Sequence, residues 1–244
     1  MTLELSKFRV NETAFQQFNG EFTLQQEILS GRVKGELIKG HIQVNFVHEH
    51  KDENTRLSAV GKAIPLHLMP ATRDYWIDTA LSFELNLDGQ GRSARDFAKT
   101  LNGDVMVEAM HGNIDVRKLE KLSQDILSLT LSSVVPYTIE RKTSHLECGA
   151  FKFSIRNGVA NNDNAIALRT QNLAVMGGGK IDFARETLDI RLHPHARSTA
   201  KINTKTAVKE LKVSGSFHDV QVTPRLGGII NQGISLTTKI AALS

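Results

Sequence analysis

The chain has 244 residues, 40% of them hydrophobic and 23% charged, a balance that suits one large all-β domain or two smaller ones. Its net charge is +4, and Arg197, Lys201, Lys205, Lys209 and Lys212 against Glu210 place that whole excess in one segment, so no nucleic-acid partner is expected. The single cysteine, Cys148, rules out an intrachain disulfide and fits neither a cysteine zinc cluster nor a redox pair.

Residues 1–88 read as a β meander. Thr2–Leu5 alternates, so the chain opens in mid-strand, with no basic and apolar leader before it. That start suggests a piece of a longer protein whose anchor lies elsewhere. No run of about 18 apolar residues is present to span a membrane as a helix. Short apolar stretches around Phe22, Ile28 and Val33 are punctuated by Gly20, Gly31, Gly35 and Gly40. In 41–46, Ile42, Val44 and Phe46 share one face, because side chains in a strand alternate. Residues 51–54 are a polar turn. The longest alternation follows: Tyr75, Ile77, Thr79, Leu81, Phe83, Leu85 and Leu87 face one way, and mostly polar residues face the other.

Residues 93–101 read as a short helix with Ser93 as its N-cap, ended by Asn102-Gly103. Strand resumes over 104–116 around a turn at Gly112. The spacing of Leu119, Leu122, Ile126 and Leu129 predicts a helix over 117–134, its apolar stripe packed on a sheet. From Leu146 the chain returns to strands. A change of parity beside Gly149 implies a bulge, and Asn157-Gly158 reads as a tight hairpin turn. Gly177-Gly178-Gly179 is read as a break between two strands, and Pro194 as the end of the strand 188–192. The tail 226–244 is weakly helical.

Taken in order, these pieces resemble the C-terminal region of the AsmA-like family. The carriers are the helix block from Gly91 to Gly103, Gly112-Asn113-Ile114, the Cys148–Gly158 block, and Met176–Phe183 with Glu186–Asp189. Pro194-His195-Ala196-Arg197 and Val213–Phe217 with Pro224 complete the series. The likeness is best over 90–225 and looser over 20–88. The chain departs from the family at 202–207 and in lacking an N-terminal membrane helix.

The resemblance implies a mainly β fold: a twisted antiparallel β-groove, or taco-like sheet, with one or two packed helices over 1–225. It also implies an inner-membrane-anchored periplasmic protein of the Gram-negative envelope, related to bridge-like lipid-transfer proteins. The expected role is to shelter phospholipid acyl chains for outer-membrane homeostasis, with the membrane reached through the missing anchor. The rival expectation is a non-enzymatic module that binds envelope proteins during outer-membrane protein assembly.

Acyl chains need a long water-free surface, which one set of alternating side chains supplies. The expected lining is Ile42, Val44, Phe46, Ile77, Leu81, Phe83, Leu85, Leu87, Phe153, Ile166, Leu168, Ile181, Phe183, Ile190 and Leu192. The bland alternative is that these residues close on one another as an ordinary core. Lys201, Lys205 and Lys209 recur every four residues and, on a helix, would share a face towards anionic head groups. The alternative is a solvated loop. His48-Glu49-His50 and His193-Pro194-His195 each set two imidazoles two residues apart. With no cysteine or clear third ligand nearby, neither is expected to hold a metal. There is no nucleophile elbow, paired carboxylate, Walker loop or dinucleotide fingerprint, so neither an enzyme nor a cofactor is expected.

Overall fold

The computed structural model describes residues 2–5, 8–10, 13–15, 17–37, 39–66, 77–115, 143–171, 173–197 and 208–226. Fifteen strands and one helix occur among them. They are β1 (Thr2–Leu5), β2 (Phe8–Val10), β3 (Thr13–Phe15), β4 (Gln17–Gln25), β5 (Ile28–Glu36), β6 (His41–Glu49), β7 (Asn54–Pro65) and β8 (Ile77–Gln90). After helix α1 (Ala94–Thr100) come β9 (Asn102–Asp115), β10 (Thr143–Arg156), β11 (Val159–Thr170), β12 (Leu173–Asp182), β13 (Thr187–Ala196), β14 (Val208–Ser216) and β15 (Asp219–Leu226). The expected helix at 117–134, Tyr75, Lys201, Lys205 and the tail beyond Leu226 lie outside the described residues.

The fold is mainly β. A single 13-stranded antiparallel sheet runs β1-β4-β5 and then through every strand to β15 in chain order. The β2–β3 hairpin stands apart from it. The sheet is open, with β1 and β15 at its two ends.

Local chemistry accounts for the corners. Asn157 and Gly158 both have positive φ (49° and 72°), the geometry of the tight hairpin turn that Asn-Gly favours. Ser93 caps α1: its hydroxyl accepts from Asp96 N at 3.1 Å and donates to Asp96 Oδ2 at 2.7 Å. That bond, helped by Lys99, holds the Asp96 carboxyl below its ordinary range. Ser93→Ala is expected to cost about 1 kcal/mol of thermal stability. It should also let the Asp96 pKa climb back, which an NMR titration reads directly. The sign is that of a depressed carboxylate: the cap's ionic part is present above the ordinary aspartate range and is lost as pH falls through the lowered value.

The glycines correct the sequence reading. Gly20, Gly31 and Gly35 do not divide strands; they lie inside β4 and β5. Gly177-Gly178-Gly179 is likewise the middle of one strand, β12. A Cβ there would meet Arg191 O at 2.0 Å, Asn162 O at 1.9 Å and Asp189 O at 2.1 Å, so the run exists to let three backbones approach closely. Gly178→Ala is expected to lower stability by about 3 kcal/mol, the upper end of overpacking costs, measured by urea denaturation.

Three further expectations change. α1 does not end on a left-handed Asn-Gly; its C-cap is Leu101 in an extended conformation, and Asn102 starts β9 while its Nδ2 donates to Thr100 O at 2.7 Å. Gly112 is no turn: β9 runs through it, and the irregularity is an in-strand shift beside His111, which has φ 54°. Pro194 does not stop β13, which continues to Ala196 paired with β12. The β13–β14 pairing ends at Leu192–Leu211, so at Pro194 no β14 carbonyl waits for the missing N–H. The parity change in β10 falls between Leu146 and Cys148, one residue before Gly149.

Candidate functional site

In an antiparallel ladder, directly opposed residues project to the same face. Following that rule across the sheet gives a row Phe22, Gly31, Phe46, Leu57, Leu87, Gly103, Ile155, Ala160, Ile181, Leu188, Gly215, Val220. A second row on the same face is Phe18, Gly35, Ile42, Gly61, Phe83, Val107, Phe151, Ile166, Gly177, Leu192, Leu211, Pro224. Neither contains a polar residue between β4 and β15. At about 4.8 Å per strand, such a band is roughly 50 Å long.

The other face has the opposite character. One of its rows reads Glu21, Arg32, Asn45, Ser58, Asn86, Asp104, Ser154. Its groups satisfy one another across strands: Arg32 donates to Asn45 Oδ1 at 3.1 Å, Asn45 donates to Ser58 Oγ at 3.3 Å, and Ser154 donates to Asp104 Oδ1 at 2.5 Å. Lys212 pairs with Asp189 at 3.4 Å further along. The sheet thus separates one continuous apolar face from one hydrated face.

Every expected lining residue whose side chain is described lies on the apolar face, and Ile77 occupies the matching register position. Most are half-buried: Ile42, Val44, Phe46, Leu81, Phe83, Leu85, Leu87, Ile166, Leu168, Ile181, Phe183, Ile190 and Leu192. Phe153 differs. It is 1% exposed, and it centres a cluster with Leu101, Ile155, Ala160 and Ala165 that Phe97 of α1 packs against. The helix closes the face over this part and positions Phe97 against Gly89.

The expected lining left out Leu57, Val105, Val107, Phe151, Leu188, Leu211, Val213, Val220 and Val222, which complete the face, although Phe151 and Leu188 share the parity of residues it included. Glycines interrupt the apolar alternation in several of these strands. Their purpose is visible in the rings that cover them: a Cβ at Gly61 would sit 2.3 Å from Phe83 Cε1, and one at Gly31 the same distance from Phe46 Cε1. Phenylalanines thus lie flat across the opposing strand and smooth the surface. An open hollow of about 390 Å³ touches Phe46, Leu57, Leu87 and Gly103 but also Asn45, Arg56, Asn86 and Asp88. What the described residues offer an apolar ligand is a face, not that hollow.

The basic and histidine motifs resolve differently. Lys209 is exposed and belongs to β14, so the helical face imagined for Lys201, Lys205 and Lys209 does not extend to it. Arg197 is engaged: it donates to Glu147 Oε1 at 2.7 Å and to Thr170 O, while Arg169 Nε stands 2.6 Å from Glu147 Oε2. Held between two guanidiniums, chiefly by Arg197, the Glu147 carboxyl titrates below its ordinary range. His195 belongs to β13, with Nδ1 3.0 Å from His193 O. His48 and His50, by contrast, do have a third donor near them, Glu53 of the following turn. No described helix is long and apolar enough to cross a membrane.

Comparison with protein-family models, with curated proteins and with solved structures found no match to this chain.

Proposed function

We propose that this chain is a lipid-handling module of the AsmA-like type, in which the apolar face of the sheet shelters phospholipid acyl chains. The observation that carries the reading is the pair of unbroken apolar rows from β4 to β15. Their side chains are mostly half-buried, which leaves contact surface for a ligand. A plain core would bury such residues against a second layer, whereas the one described helix, α1, packs on the face only around Phe153. Burial is worth about 0.8 kcal/mol per methylene, so a band this long holds acyl chains without a polar anchor. In this reading the intact protein is anchored in the inner membrane, faces the periplasm and serves outer-membrane homeostasis. The chemistry is carriage, not catalysis.

The test is native mass spectrometry with lipid extraction on protein purified from a Gram-negative host. Phospholipid at near-stoichiometric amounts is the expected result. A lipid-free mass, with no uptake of fluorescent phospholipid by stripped protein, would sink the proposal. The reading as a protein-interaction module would then lead. It draws on the open end of the sheet, where β15 pairs, among the described residues, only with β14. Such an edge suits strand addition by an envelope protein.

A further inference from the structure

We propose that His48, His50 and Glu53 form a site for one divalent transition-metal ion of the zinc type, at the rim of the apolar face. The proposal stands independently of lipid carriage. One ring nitrogen from each histidine and one carboxylate oxygen of Glu53 lie within 4.8 Å of one another. Among the described residues, this is the place where three such donors converge. In a tetrahedral zinc site, ligand atoms stand about 3.3 Å apart, given bonds of about 2.0 Å. Closing the present spacing takes a change of at most about 1.5 Å between donor atoms, within the reach of side-chain rotation.

The surroundings are arranged for the ion. Thr55 lies opposite His48 in the β6–β7 ladder, and its hydroxyl stands 2.9 Å from His48 Nδ1. That contact orients the ring and leaves Nε2 as the donor, the usual task of an outer partner to a metal-bound imidazole. The turn carrying the other two ligands is closed by one internal hydrogen bond and tied to two neighbouring segments. His50 N donates to Glu27 O at 3.0 Å, Glu53 N to His50 O at 3.3 Å, and Gly91 N to Glu53 O at 3.0 Å. Glu53 holds the left-handed conformation at φ 49°, which turns its side chain back towards the histidines' end of β6. Its present partner, Arg92, is 3.3 Å away with a side chain 86% exposed, a contact that an ion displaces at little cost.

Two imidazoles and one carboxylate are a borderline donor set. They suit zinc, cobalt or nickel and not calcium or magnesium, which take oxygen ligands. Three protein donors leave a fourth position for water or an anionic oxygen. The His193–His195 pair on the hydrated face offers no such third donor among the described residues.

The experiment titrates the chelator-stripped full chain with zinc by calorimetry and with cobalt(II) by visible absorbance. One ion per chain is expected, with the intense cobalt bands of a low-coordinate site. His50→Ala and Glu53→Gln should each weaken zinc binding at least about 10-fold, and a His193→Ala/His195→Ala double variant should leave it unchanged. His50 is exposed in a turn, so its variant keeps the fold, as circular dichroism will verify. Absence of binding at micromolar zinc overturns the proposal. So does stoichiometric binding that survives both His50→Ala and Glu53→Gln.

Discussion

Replacing Phe83 with glutamate is expected to strip co-purifying phospholipid from the protein while leaving the sheet folded. Phe83 stands near the middle of an apolar row, with Gly61 on one side and Val107 on the other. Its ring lies over Gly61, where no side chain competes with it. A carboxylate at this point would face the acyl chains directly. Burying it under them without a partner costs several kcal/mol, whereas each lost methylene contact costs about 0.8 kcal/mol. The charge therefore decides the outcome, and Phe83→Leu should retain lipid. Glu84→Lys is the matched control, because Glu84 belongs to the hydrated face one residue away. Native mass spectra of the three variants make the comparison. Lipid retained by Phe83→Glu at the level of the parent chain would remove this face from consideration as the binding surface.

Phe153→Ala is expected to be the most destabilising substitution among the lining residues, at about 3–5 kcal/mol in urea denaturation. Phe153 is 1% exposed, its ring centroid lies 4.7 Å from that of Phe151, and its neighbours Leu101, Ile155, Ala160 and Ala165 are all buried. These groups come from different strands and from the end of α1, so they cannot collapse readily into the space left by the ring. The same substitution at half-buried Phe46 removes less buried area and should cost clearly less. The pair of values separates the part of the face that functions as core from the part left open to a ligand. A loss below about 1.5 kcal/mol at Phe153 would mean that α1 does not close the face as described.

The apolar face was partly legible in the sequence, and the reasons are local. Between Ile77 and Leu87 every second residue is apolar except Thr79, so period-2 reading placed Leu81 to Leu87 on the same side without help. Asn157-Gly158 and Ser93 carry their turn and cap chemistry in the residue itself. What escaped were features in which a residue's meaning depends on the neighbouring strand. Gly177 to Gly179 look like a loop until Arg191 O and Asn162 O are placed against them. Pro194 looks like a terminator until the β13–β14 pairing is seen to end at Leu192. Glu53 carries no mark of a ligand in the sequence, because it is the left-handed turn that brings it near His48 and His50. Periodicity records which face a residue takes, and pairing partners record why a glycine or proline is tolerated there.

The chain-order pairing of β4 through β15 has a consequence for how such a molecule assembles and changes. Each strand joins the one made just before it, so most loop closures are short, the long connection between β9 and β10 apart, and the ladder can grow from any hairpin like a zip. Stability in such an array is close to a sum of nearest-neighbour terms. Because a hairpin contributes two strands of opposite direction, inserting or deleting a whole one preserves both the direction and the facing of everything beyond it. The length of the apolar band is therefore adjustable in steps of about 10 Å, two strand spacings at a time. The architecture is a ruler whose reach can be edited without redesigning its cross-section.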